Sequence, residues 1–170
     1  TFAISALGNL HEASPTSAMV SGIAGIAAWK LDLHHRDPLG TTVLTSAGGG
    51  TSRYAAGVKV TVPVLAGHRD VGSTACPAQY LYPQLAAIRT KARTLIGSSL
   101  FNPTLDAASG VAGSAVARIR ATSSVAQTWT LTVRSLCTDQ VVRTWTGSAG
   151  SGAWLIPWNG TTDSGASAGV

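Results

Sequence analysis

The chain has 170 residues, 45% of them hydrophobic, enough for one ordinary domain or two small ones with packed cores. Only 11% are charged, against roughly 25% in an average soluble domain; Gly, Ser, Thr and Ala fill the difference, without the period of collagen or the charged heptads of a coiled coil. The net charge of +5 sits mostly in the first half, where residues 1–95 carry eight Lys/Arg and four acids against four and three in 96–170.

A basic first half suits an anionic partner such as a cell-wall polymer or a membrane surface. Nucleic acid is disfavoured, because no dense Lys/Arg run interleaves with aromatics. The least charged stretch, residues 13–29, contains Ser, Gly and Pro and is too short to span a bilayer. Glu12 in front of it and a helix-capping pattern within it also argue against a signal peptide. The chain has no initiator Met, opens on a strand-like segment and closes on a turn-like run. It is therefore expected to be an internal piece of a longer protein.

Residues 2–7 alternate apolar with small side chains and stop at Gly8-Asn9, a strand followed by a turn. Ser14-Pro15 predicts a helix start, with Ser14 as the N-cap and Pro15 at the first helical position. The helix runs to Leu33, with Met19, Ile23, Ile26 and Leu33 near one face and Val20, Ala27 and Leu31 beside them. Asp37-Pro38 closes that region. Residues 41–45 read as a short strand, 48–57 as a Gly-rich loop and 58–65 as a second extended segment. Residues 77–93 return to helical spacing, with Leu81, Leu85 and Ile88 on one side.

Residues 97–108 contain Asn102-Pro103 and read as a linker. Beyond them the pattern is β only, with short alternating runs at 116–120, 128–133, 141–145 and 153–158 at sandwich-like spacing. Trp129, Trp145, Trp154 and Trp158 are expected to supply the bulk of that small core. The domain reading is 1–95, a linker over 96–111, and 112–170.

The chemistry concentrates in Gly67-His68-Arg69-Asp70-Val71-Gly72-Ser73-Thr74-Ala75-Cys76-Pro77. Imidazole and thiolate are both ligands of tetrahedral zinc, and a catalytic zinc keeps one position open for water. On spacing alone an isolated His and Cys such as His68 and Cys76 are more often a turn residue and a small buried one. The full string, however, resembles the C-terminal part of the peptidoglycan recognition protein and type 2 N-acetylmuramoyl-L-alanine amidase family. That family carries G-H-R-D, a few residues, then T-x-C-P-G and a helix. Residues 4–9, the run Ala28-Trp29-Lys30-Leu31, Asp37-Pro38-Leu39-Gly40, the 48–57 loop, and Leu81-Tyr82-Pro83-Gln84-Leu85 with Ile88-Arg89 extend the likeness to its secreted bacterial branch. It covers about residues 1–93, the last half to two-thirds of that domain.

The resemblance implies an incomplete α+β fold, a mixed sheet with flanking helices. It makes His68 and Cys76 the second and third ligands of Zn2+, and Thr74 the residue that helps stabilise the oxyanion as water attacks the amide. The implied reaction cleaves the bond between the lactyl group of N-acetylmuramic acid and L-alanine, with zinc polarising the carbonyl and lowering the pKa of water. Peptidoglycan is the implied partner, anionic cell-wall polymers a further one, and the location secreted or cell wall. The first zinc ligand and the family's Tyr belong to segments preceding residue 1. Activity is thus expected of the parent protein and not of these 170 residues alone. Ala78 stands where the family has Gly, which reads as a local backbone adjustment.

Arg53, Tyr54 and Arg69 are candidate substrate-groove residues. Tyr54 and Arg53 either line a glycan groove or pin their own loop, and Arg69 and Asp70 are read as pairing to brace the loop that presents His68, in preference to being ordinary solvated charges. His34-His35 closes a helix, where the macrodipole favours histidine, and is not read as a ligand. His11 is a rim or solvent residue. Cys76 and Cys137 fall in different predicted domains, so no bridge between them is expected.

In the second half, Trp129 to Val133, Asp139 to Gly147 and the turn Trp158-Asn159-Gly160-Thr161-Thr162-Asp163-Ser164-Gly165 resemble the Ig-like module of the flagellar hook-cap protein. That module recurs at the ends of secreted bacterial enzymes. The resemblance implies a small all-β Ig-like sandwich, truncated at its C-terminus. Gly160 and Gly165 suit positive φ, and Asp163 is expected to cap the turn. Two further readings remain: a non-catalytic peptidoglycan or cell-wall binding protein of the same fold, and an adhesive β protein whose first half is a remnant.

Overall fold

The computed structural model describes residues 2–106, 113 and 117–168. The chain is α+β and forms two compact units, Thr1–Gly97 and Ser98–Val170. No helix among the described residues is long and apolar enough to cross a membrane.

The first unit contains α1 (Ser17–Leu33), β1 (Thr41–Thr45), β2 (Lys59–Pro63) and α2 (Leu85–Ile96), with single 3-10 turns at His68–Asp70 and Tyr82–Gln84. The N-cap of α1 is Thr16, whose hydroxyl accepts from the Met19 amide at 3.1 Å. The start expected at Ser14-Pro15 thus moves two residues on. Several capping side chains lie in a row here, and helix docking selects among them. The helix ends at Leu33, with the His34 and Arg36 amides both returning to the Leu31 carbonyl and His35 at φ +50°. Asp37 then pairs with Arg93 of α2 at 2.5 Å.

The buried face of α1 is Ile23, Ala24, Ala27, Ala28 and Leu31, while Ile26 and Leu33 are exposed. This corrects the expected stripe. Because α1 is apolar nearly all round, period alone does not choose its face; the alanines win because they let Ala92 of α2 approach closely. Leu81, Leu85 and Ile88 are all buried as expected, clustered with Leu10, Ile23, Ala24 and Ala78. Regular helix begins only at Leu85, however, with turns over 77–81.

Residues 2–7 are not a strand. They run without a ladder, and Ile4 and Ala6 instead pack against the helical core. Alternation predicts extended backbone, but a strand also needs a partner, which is a non-local condition. The mixed sheet expected of this region is, among the described residues, the two-stranded antiparallel pair β1–β2, from Thr41 opposite Pro63 to Thr45 opposite Lys59.

The second unit is all β: β3 (Leu100–Asp106), β4 (Ala117–Ser123), β5 (Gln127–Arg134), β6 (Val141–Ala149) and β7 (Gly152–Trp158). One antiparallel sheet has the order β3-β4-β7 and the other is the β5–β6 hairpin. The segment read as a linker therefore holds β3; its residues 107–111, together with Ala112 and the Val116 that opens the next run, lie outside the described residues. Asn102-Pro103 misled because Pro is tolerated on an edge strand at a bulge, and the ladder does shift register between Phe101 and Thr104.

Two indole pairs join the sheets, each taking one ring from either. Trp129 of β5 stacks on Trp154 of β7 with centroids 5.0 Å apart, and Trp145 of β6 meets Trp158 of β7 edge-on at 6.4 Å. All four are only half-buried; among the described residues of this unit, Phe101 and Ser123 are the fully buried side chains, Phe101 the larger. Gly160 and Gly165 adopt φ of +81° and +85°. Asp163 does not cap its own turn; its carboxylate reaches β6, accepting from the Thr144 amide at 3.2 Å and pairing with Arg143.

Candidate functional site: the loop from Gly67 to Pro77

Residues 67–77 leave β2, make one 3-10 turn and arrive at the segment before α2. The Arg69 amide donates to the Cys76 carbonyl at 2.9 Å, closing the loop on itself. His68 therefore begins, and Cys76 ends, a segment tied across its neck. Both side chains are exposed, as is Thr74. The Thr74 hydroxyl oxygen accepts from the Cys76 amide at 3.2 Å, leaving its own O–H free to donate elsewhere. The His68 ring lies over Gly72, where an added Cβ would stand 2.9 Å from both Cδ2 and Nε2. Glycine is needed there for close approach alone.

Arg69 and Asp70 do brace the loop, but not by pairing with each other. The Asp70 carboxylate accepts from the Gly67 amide at 2.7 Å and from the Tyr82 hydroxyl at 2.5 Å. The Arg69 guanidinium donates to the Ala75 carbonyl and stacks 4.5 Å over the Tyr82 ring. Tyr82 is thus the common anchor, a role that sequence reasoning missed because it depends on a fold-back of the chain. Donation to Asp70, followed by burial, raises the Tyr82 pKa above 10.0. The protonated phenol is favoured in the folded state, so its contribution is complete below pH 10 and lost as pH rises through the raised value. In Asp70→Asn, the Tyr82 absorbance titration is expected to move back toward 10.0, with a stability loss of about 1–2 kcal/mol. An unmoved titration would remove the anchor.

The 48–57 loop lies against this one. The Arg53 amide donates to the Val71 carbonyl at 3.0 Å, and the Ser73 amide to that of Thr51 at 2.9 Å. The Arg53 Nη1 donates to the Arg69 carbonyl at 2.9 Å. Between the loops is an open depression of about 340 Å³ lined by Arg53, Arg69, Gly72, Ser73, Thr74 and Ala75. Tyr54 is apart from it, in a recess with Leu44, Val60 and Val71, and its carbonyl accepts from the Ser46 and Ser52 hydroxyls. The groove set divides accordingly: Arg53 and Arg69 share a surface with Thr74, and Tyr54 belongs to another.

Ala78 adopts φ +79°, in the left-handed region that favours glycine, with its methyl buried. Relief of about 1–2 kcal/mol outweighs a lost methyl of roughly 0.8 kcal/mol, so Ala78→Gly is expected to gain up to about 1 kcal/mol. Ala78→Val, in contrast, should be clearly destabilised in urea melts; equal midpoints for all three would show that no strain is held there.

His34 and His35 are exposed at the end of α1, and His11 is exposed in a turn, its carbonyl accepting from Gln79. Cys76 and Cys137 are both free thiols; Cys137 lies in the turn after β5. As donor types, His68 and Cys76 suit zinc. Their number falls short, because among the described residues no group of three or more His, Cys, Asp and Glu gathers to hold a metal.

No family model matches the chain, and no curated protein and no solved structure matches it either. The family likeness accordingly rests on the motif residues themselves.

Proposed function

We propose that this chain is part of a zinc-dependent peptidoglycan amidase, secreted or cell-wall bound, that hydrolyses the bond between N-acetylmuramic acid and L-alanine. The observation carrying this reading is the loop closed by Arg69 and Cys76, with an imidazole at its start, a thiol at its end and a free Thr74 hydroxyl donor between. His68 and Cys76 would be two of its donors. When bound, zinc supplies carbonyl polarisation and an acidified water. Thr74 donates to the oxygen on which negative charge develops, and the Asp70–Tyr82–Arg69 brace holds the loop's shape while it does so.

A second reading, a non-catalytic cell-wall binder of the same fold, is favoured by the donor count. The thiol favours the first, since a binder has no use for a soft ligand. The second unit is read as an Ig-like accessory module, supported by its two sheets, its indole pairs and its closing turn. Such a module anchors or positions a partner.

Native mass spectrometry tests the metal. One zinc per chain, lost in both Cys76→Ser and His68→Ala, supports the first reading. A folded chain with no zinc, which still sediments with purified peptidoglycan, leaves the binder. A folded chain that does neither removes both.

A further inference from the structure

We infer that the depression between the 48–57 and 67–77 loops is a carboxylate-binding site, with Arg53 as its principal contact. Two guanidinium groups line it, together with the hydroxyl-bearing Ser73 and Thr74, and among the described residues no acidic side chain does. Asp70, the one carboxylate on the loop, is engaged by the Gly67 amide and the Tyr82 hydroxyl. Among the described residues neither Arg53 nor Arg69 enters an ion pair, whereas Arg93, Arg120, Arg134 and Arg143 all do. The Arg69 Nε is moreover buried without a hydrogen-bond partner. Two guanidinium groups are therefore gathered here with no carboxylate paired to either among the described residues.

The two arginines differ in what they have left to offer. Arg69 is committed to the Ala75 carbonyl and the Tyr82 ring, so it contributes charge more than contact. Arg53 is exposed and is oriented by a single bond from Nη1 to the Arg69 carbonyl. Among the described residues the rest of its planar fork has no hydrogen-bond acceptor, and such a fork suits the paired oxygens of a carboxylate. The single O–H of Thr74 is reserved for the developing oxyanion, so Arg53 carries the contact. An acidic peptide is the class of ligand that matches. The choice of peptide rests on the peptidoglycan reading, in which the stem beyond the scissile amide carries free carboxylates.

The test is a titration of the isotope-labelled chain, followed at the Ser73 and Thr74 amides by nuclear magnetic resonance. The probes are N-acetylmuramyl-L-alanyl-D-glutamate, the same compound with both glutamate carboxylates amidated, and N-acetyl-L-alanyl-D-glutamate without the sugar. The acid is expected to bind about tenfold tighter than the diamide, and more weakly at high salt. Arg53→Gln should abolish that difference, and Arg53→Lys should retain part of it. Equal binding of acid and diamide, unaffected by Arg53→Gln, overturns the carboxylate site while leaving peptidoglycan recognition intact. Arg53-dependent binding of both acids with no preference for the muramyl compound supports the site and counts against the peptidoglycan reading. No shift at Ser73 and Thr74 with any probe overturns the site.

Discussion

Phe101→Ala is expected to lower the stability of the Ser98–Val170 unit by about 3–5 kcal/mol, the usual cost of emptying a buried phenylalanine site. Phe101 has no exposed surface and sits on β3, opposite Thr122 of β4. A linker residue in its place would change stability by less than about 0.5 kcal/mol. The outcome therefore decides between a strand and a tether. Four of the five tryptophans belong to this unit, so urea unfolding followed by indole fluorescence reads it directly. A midpoint unchanged from wild type would place β3 outside the core.

The second large effect is expected at Gly147. It lies on β6 opposite Trp129, and a Cβ built there would stand 2.5 Å from the indole Cζ2. No rotation of a methyl relieves such a contact, so either the ring or the strand must move. Gly147→Ala is expected to cost about 1–3 kcal/mol from overpacking. Displacing Trp129 from its stack on Trp154 adds roughly 0.5–1.5 kcal/mol. Near-ultraviolet circular dichroism should lose intensity as the indoles separate. Gly150→Ala is the control, having nothing within 4 Å of its added Cβ, and should leave both signals in place. A Gly147→Ala protein that behaves like the control would show that the Trp129 ring is free to shift.

These two residues mark where sequence reading stopped. Strand β5 was legible because one face is half-buried and the other solvated, from Gln127 to Arg134 without exception. Leu81, Leu85 and Ile88 were legible for the same reason at helical spacing. Phe101 was hidden behind Asn102-Pro103, a local stop signal that the edge position of β3 neutralises. The necessity of Gly147 was hidden because it arises from a residue eighteen positions away in the chain.

In the candidate site, the motif itself was legible, including Thr74 between the two metal-type donors. The brace was not. Asp70 and Arg69 are adjacent and of opposite charge, which invites the pairing that the structure replaces with separate contacts to Tyr82. Tyr54 is next to Arg53 in the chain, yet successive side chains in an extended loop diverge, and the two face different recesses.

What the sequence alone determined is whatever depends on neighbours within a turn or a strand: the end of α1 at Leu33, the period of β5, the turns at Gly160 and Gly165, and the order of donors from His68 to Cys76. Tertiary structure decided which face of α1 is buried, that residues 2–7 have no ladder, that β3 exists, and that Tyr82 holds the loop. Each of these depends on groups far apart in the chain competing for the same buried surface or hydrogen bond. Local pattern is silent on that competition, because its energy appears only when the distant partner arrives.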